Sequence, residues 1–126
     1  MKILQGIDLV KIARIEEAIT RQGKRFLERV FSPGEQAYCG TKRMKYEHYA
    51  ARFAAKEAFI KALGVEAAKN LPLREIEVKH EATGKPYFFL TDLMKKKTGL
   101  RPQDRIELSV AHEREYAVAT VVVVKP

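Results

Sequence analysis

The sequence predicts an α+β domain, and three observations carry that expectation. Helix-forming stretches fill the first half of the chain, and short alternating or wholly apolar runs separated by turn residues fill the second. No repeat, low-complexity tract or linker interrupts them, and 126 residues is a common size for one domain. Residues 1–126 are therefore expected to fold as a single unit, an antiparallel sheet of hairpins with a long helix packed on it.

Ile3 to Val10 reads as the first strand. Ile3, Ile7 and Leu9 share one parity and Leu4, Asp8 and Val10 the other, so the strand is expected to be covered on both sides. Gly6 within it signals close backbone approach or a bulge. Asp8 is the odd residue, either an edge or capping side chain or a functional one. Lys11 to Gln22 reads as a helix with Ile12, Ile15 and Ile19 as its buried stripe. Arg14 and Arg21, two turns apart, share a face of it. Lys24 and Arg25 extend the basic surface, and an exposed Phe26 beside them would suit docking of an acidic helix; a solvated surface is the bland alternative.

Ser32-Pro33-Gly34-Glu35 is a helix start with a capping box and Pro at the first helical position. A short helix to about Gly40 follows. The long helix is expected from Thr41 to Leu63, with Gly64 as its stop. Its apolar stripe reads Tyr46, Tyr49, Ala50, Phe53, Ile60, Leu63, and Glu57 falls on that stripe. A carboxylate facing a core needs a partner, so Glu57 either pairs with a base such as Lys61 or helps hold a metal. Lys42, Arg43 and Lys45 crowd the N-terminal end, against the helix dipole; an external anion or plain solubility would account for them.

Val65 to Pro72 reads as a loop and Arg74 to Lys79 as a half-buried strand. Thr83-Gly84-Lys85 turns the chain into a second strand, Pro86 to Leu90. Thr91 caps a short helix to Thr98, stopped by Gly99. Ile106 to Ala111 and Tyr116 to Val124 form a second hairpin around Glu113-Arg114-Glu115. The last strand is almost wholly apolar, which places it centrally or at a subunit interface. His112 ends the preceding strand, a position where a lone His is more often structural than catalytic.

Lysine and arginine exceed aspartate and glutamate by 24 to 16, a net charge of +8 that calls for an anionic partner. No apolar run reaches the length of a membrane span. Single Cys39 excludes an internal disulfide and fits a reducing compartment. The N-terminus lacks the shape of a signal peptide, so the cytoplasm is the expected location. A basic nucleic-acid-binding domain is the rival reading, but the aromatics do not interleave with basic residues on strands as stacking readers require. A membrane-surface protein fits less well, since Glu16 and Glu17 sit in the first helix.

No phosphate-binding glycine motif, zinc spacing or recognisable nucleophile context is present. Two acids in apolar elements remain, Asp8 and Glu57, with Lys61 one turn beyond and His112 far along the chain. Two carboxylates suit Mg²⁺, whose shell is completed by waters and substrate phosphates. With Lys and His to meet phosphate oxygens, the set suits metal-assisted chemistry at a phosphate ester.

Several segments together carry a family resemblance. Gly6-Ile7-Asp8-Leu9-Val10 with Arg14-Ile15, and Phe31-Ser32-Pro33-Gly34-Glu35, resemble the first motifs of the holo-acyl-carrier-protein synthase family. Arg52 to Ala58 with Lys61-Ala62-Leu63-Gly64 resembles its signature helix. Gly84-Lys85-Pro86 and Leu108-Ser109-Val110-Ala111-His112 resemble its last motifs. The resemblance implies the 4′-phosphopantetheinyl transferase fold, a homotrimer with sites between subunits, and transfer of the 4′-phosphopantetheine arm of coenzyme A to a serine of apo acyl carrier protein. Adenosine 3′,5′-bisphosphate is the other product. It further implies that Asp8 and Glu57 hold Mg²⁺ and that Glu57, Lys61 and His112 serve catalysis. Arg52, Lys61, Gly84, Lys85, Pro86, Ser109 and His112 would bind coenzyme A, and Arg14, Arg21, Arg25 and Phe26 would meet the carrier. Ala111 departs from the usual Ser or Thr, a missing hydroxyl that a water or Ser109 could replace. Neither nucleic acid nor membrane is implied.

Overall fold

A computed structural model describes all 126 residues. Strand β1 (Lys2–Lys11) leads through helices α1 (Ile12–Gln22), α2 (Lys24–Val30) and α3 (Pro33–Gly40) into the long α4 (Lys45–Leu63). A hairpin of β2 (Glu77–His80) and β3 (Pro86–Phe89) follows, then α5 (Asp92–Thr98), β4 (Arg105–His112) and β5 (Tyr116–Lys125). The strands form two antiparallel sheets, β1-β5-β4 and β2-β3. The apolar last strand is central, flanked on both sides.

Helix α4 lies across one face of the larger sheet. Small residues make this approach possible: Ala51, Ala54, Ala55, Ala58 and Ala62 are buried, and Phe59, also buried, packs its ring 5.0 Å from that of Phe88. Gly6 is required here, because a Cβ would stand 2.1 Å from Ala58 O and 2.6 Å from Ala62 N. The buried line of α4 therefore differs from the expected stripe. Phe53, Ile60 and Leu63 pack only at its margin, and the alanines form the contact.

A fully buried ion pair locks the helices to the smaller sheet. Lys56 Nζ donates to Glu35 Oε1 at 2.6 Å and to the carbonyls of Leu73 and Ile76, each at 2.9 Å. Glu35 also accepts from Ser32 N and Val78 N. The predicted capping box exists, and its glutamate does double duty. Burial pushes the Lys56 ammonium down, opposed by the charge and hydrogen bond of Glu35. With every hydrogen of Nζ matched to an acceptor, the charge is tolerated.

Several expectations need correction. Residues 41–44 form a turn, and α4 starts at Lys45, so Lys42 and Arg43 precede the helix rather than crowd it. Leu73–Glu75 is a short 3₁₀ turn, and the strand begins only at Glu77, because the carbonyls of Leu73 and Ile76 turn inward to Lys56. Helix α2 was missed: Phe26 is 7% exposed and packs edge-on against Phe31, so it is a core residue rather than an exposed one, and what surface it keeps lines the groove that holds Asp8. Strand β1 is covered on one side only. Ile3, Ile7 and Leu9 are 62%, 55% and 63% exposed on the face away from α4, beside Val124, Thr120 and Val118 of β5. Gly6, Asp8 and Val10 face the helix.

Candidate active site

The expected site residues fall into two clusters. In the first, β1 brings Asp8 beneath α4. Lys61 Nζ donates to Asp8 Oδ1 at 3.0 Å. Glu57, one turn earlier on α4, lines the same groove, of about 370 Å³, with Arg14, Phe53 and Leu9. Of the two readings for Glu57, pairing with Lys61 is not realised, since the lysine takes Asp8 instead. Burial, with the nearby Asp8 charge, pushes the Glu57 carboxyl up, and Lys61 only partly offsets this. Two close carboxylates, one half-buried and made costly to ionise by the other, are what a divalent cation would relieve. No third His, Cys, Asp or Glu joins them. The donor set therefore fits a cation that keeps waters and substrate oxygens in its shell, as Mg²⁺ does.

The second cluster lines a cleft of about 180 Å³ between α4, β4 and the β2–β3 hairpin. Arg52, His112, Gly84 and Pro86, all expected at a ligand, meet here, together with His48, His80 and Tyr38. His112 Nδ1 donates to Glu47 Oε1 at 3.0 Å. Arg52 is 4% exposed, yet its polar partners are the His48 carbonyl and His80 Nδ1, both at 3.3 Å, and its Nε has none. Its guanidinium stacks 4.3 Å above the Tyr38 ring.

Within the chain the clusters do not meet. Arg52 and Glu57 are five residues apart, about 140° around the helix. Asp8 pairs with Ala119 and Ala119 with Val110, so the two sides of the sheet are two strand spacings apart, about 9.5 Å. Helix α4 stands between them.

Other expected residues are placed differently. Lys85 turns away from the cleft to Glu107 Oε1 at 3.1 Å. Ser109 and Ala111 lie on the opposite face of β4 from Val110, exposed beside Thr120 and Val118. Ser109 is therefore not a replacement hydroxyl in this cleft, because alternation along the strand points it the other way. Arg14 edges the Asp8 groove; Arg21 pairs with Glu17 at 3.6 Å, largely in solvent, and Arg25 is exposed on α2. Sequence reasoning missed His48, His80 and Tyr38. The spacing of His48 and Arg52, one helical turn, was the one available signal.

Two carboxylates with a lysine, and a separate cleft rich in cationic and imidazole groups, are the kinds of group that pair with phosphate-bearing anions. Residues 5–121 match the family model of the 4′-phosphopantetheinyl transferase superfamily. The holo-[acyl-carrier-protein] synthase of Halothermothrix orenii is 43% identical over 120 residues, 93% of each chain. That of Cytophaga hutchinsonii is 45% identical over 120 residues, 92% of each. Among solved structures, Helicobacter pylori holo-[acyl-carrier-protein] synthase in complex with coenzyme A superposes with a TM-score of 0.82 at 34% identity, covering 96% of this chain and all of that one. The ACPS–CoA complex of Chronobacterium ammoniagenes gives 0.80 at 34% identity, with 98% and 97% coverage. The chain belongs to the 4′-phosphopantetheinyl transferase superfamily, within its holo-[acyl-carrier-protein] synthase family. A nucleic-acid-binding domain is not favoured. No helix is long and apolar enough to cross a membrane.

Proposed function

We propose that this chain transfers the 4′-phosphopantetheine arm of coenzyme A to a serine hydroxyl of apo acyl carrier protein in the cytoplasm, with Mg²⁺ as cofactor. The observation that carries the reading is the Asp8–Glu57–Lys61 cluster, on a chain at least 43% identical to two holo-[acyl-carrier-protein] synthases.

Asp8 and Glu57 would hold the metal. A divalent ion held by these two carboxylates would supply counter-charge to the diphosphate of coenzyme A. Lys61 sits one turn from Glu57 and turns its ammonium from Asp8 to the phosphate oxygens, stabilising the leaving phosphate. The carrier serine attacks the phosphorus bearing the arm, and Glu57 acts through a water as the proton acceptor. Arg52 and His112, with the backbone at Gly84 and Pro86, hold the nucleotide end. Adenosine 3′,5′-bisphosphate leaves.

The clusters lie on opposite flanks of α4, so the reading places a whole site between two copies: carboxylates from one and the Arg52 cleft from the next. The bare apolar face of β1 and β5, with Ile3, Ile7, Leu9 and Val118, supports their burial in a homotrimer. Arg14 edges the carboxylate groove, and with the exposed Arg21 and Arg25 it would offer a basic face to an acidic carrier helix. Subunit mixing tests the shared site. Glu57→Ala and Arg52→Ala should each be inactive, and co-refolding them at equal amounts should restore activity, because random mixing leaves roughly one cleft in four intact. No recovery in mixed trimers would place both halves in one chain.

A further inference from the structure

All three histidines of the chain converge on the Arg52 cleft, although they are 32 residues apart at either step. His48 and His112 meet edge to face at 5.6 Å, and Tyr38 stacks on His80 at 5.2 Å while touching the edge of His48 at 5.8 Å. Lys42 Nζ lies 4.5 Å from the centre of the Tyr38 ring, on which Arg52 also rests.

The charges here do not balance. Arg52 is almost wholly buried, has no carboxylate partner and leaves one nitrogen without any acceptor. A buried guanidinium left in that state is costly. The only carboxylate touching the histidines is Glu47, and His112 occupies it. Because Arg52 can only donate, His80 Nδ1 must accept, which fixes that ring as neutral in this arrangement. Protonating His80 here would set two cations 3.3 Å apart, unless an anion came between them.

We propose that His80 and His48 complete, with Arg52, a proton-coupled receptor for a phosphomonoester dianion, and that binding the dianion draws a proton onto the imidazoles. This rests on the reading of coenzyme A as substrate, and names its 3′-phosphomonoester as the occupant. Coenzyme A carries that monoester; dephospho-coenzyme A differs only in lacking it. Before binding, burial and the charges of Arg52 and Lys42 push both imidazoles down, with the His112 ring adding to the effect on His48 and Glu47 opposing it. Of the neighbouring charges, Lys79 and Glu81 flank His80 on the hairpin, and Glu77 lines the adjoining hollow with Lys79. A dianion between Arg52 and the rings reverses the shift.

The sign follows. Imidazole pKa values are lowered in the free protein and raised in the complex, so affinity for the monoester increases as pH falls through the bound-state value. It levels off below the free-state value, which lies under 6.5. The phosphate itself keeps its second charge down to about pH 6, so the window from pH 8.5 to 6.5 reads the histidines.

The test is calorimetric titration of the whole protein with coenzyme A and with dephospho-coenzyme A, in buffers of different ionisation heat, at pH 7. Coenzyme A should bring uptake of a sizeable fraction of a proton, and dephospho-coenzyme A none. From pH 8.5 to 6.5 the preference for coenzyme A should grow about tenfold, one charge-assisted hydrogen bond's worth. His80→Gln keeps a neutral acceptor for Arg52, and should bind with little proton uptake and a flat preference; His48→Gln should show the same in part. Equal proton uptake for the two ligands, or an undiminished slope in both variants, overturns the inference. Because both outcomes are read from binding, they stand apart from the transferase reading: proton-coupled binding without any transfer to carrier would sink that reading and leave this one.

Discussion

Replacing Lys56 by Met removes the one cation that matches buried Glu35. The side chains are close in length, so packing changes little. What changes is that Glu35, itself 1% exposed, keeps its bonds from Ser32 N and Val78 N but loses its counter-charge, and the Leu73 and Ile76 carbonyls lose their donor. Breaking a buried pair from one side costs about 3–5 kcal/mol. For a chain of this size, 1 kcal/mol moves Tm by about 4 °C, so Lys56→Met should melt about 12–20 °C below wild type at equal protein concentration. The penalty should depend on pH. An uncompensated buried carboxyl has its folded pKa raised above the unfolded value of about 4.3, so the folded state tolerates it below that value and loses stability as pH rises through the raised one. Thermal melts at pH 5 and pH 8 should therefore show the larger loss at pH 8. Adding Glu35→Leu should recover much of the stability, since replacing both partners removes the stranded charge. A Tm loss under about 4 °C for Lys56→Met, or no recovery in the double variant, would refute the reasoning.

Gly6→Ala should lower Tm and turnover together, since overpacking against Ala58 O costs about 1–3 kcal/mol or more and shifts Asp8 from Glu57; a normal melt would show that β1 and α4 can part without loss. Asp8→Ala and Glu57→Ala should each remove most turnover while the protein melts normally, with the double variant little worse than either; near-wild-type turnover at low Mg²⁺ would remove that residue from the metal site. His112→Ala should raise KM for coenzyme A about tenfold or more, as the loss of a charge-assisted bond predicts, and leave KM for the carrier nearly unchanged; the reverse pattern would return His112 to a purely structural bond with Glu47. Arg14→Glu should raise KM for the carrier, an effect that fades as salt screens the charges over about 8–10 Å; unchanged carrier kinetics at low salt would move the docking face elsewhere.

What the sequence made legible followed from local chemistry. The capping box at Ser32, the tight passage at Gly6 and the hairpin turns all have short-range signals, and each appears in the fold. Asp8 and Glu57 stood out because acids in apolar elements are costly, and they do share a groove. The misreadings came from contacts distant in sequence. The alanines of α4 carry almost no hydrophobic signal of their own, so the stripe was drawn through the larger Phe53 and Ile60, and only the close approach of the sheet makes the alanines the core. The burial of Lys56 had no local signal, because its acceptors, Glu35 and two backbone carbonyls, are 17 to 21 residues away. Phe26 was taken as exposed because helix α2 lies directly after Gly23 with no clear start signal. Ser109 was assigned to the ligand by motif, although its parity, opposite to Val110 and His112, already set it on the other face.

Intact-mass analysis of an apo acyl carrier protein, incubated with this protein, coenzyme A and Mg²⁺, tests the central claim most directly. The account predicts that the carrier gains the mass of one phosphopantetheine arm on a serine, with adenosine 3′,5′-bisphosphate released in equal amount, and that omitting Mg²⁺ or using Glu57→Ala abolishes both. A carrier of unchanged mass across several apo carriers, with the protein folded and coenzyme A bound, would contradict it.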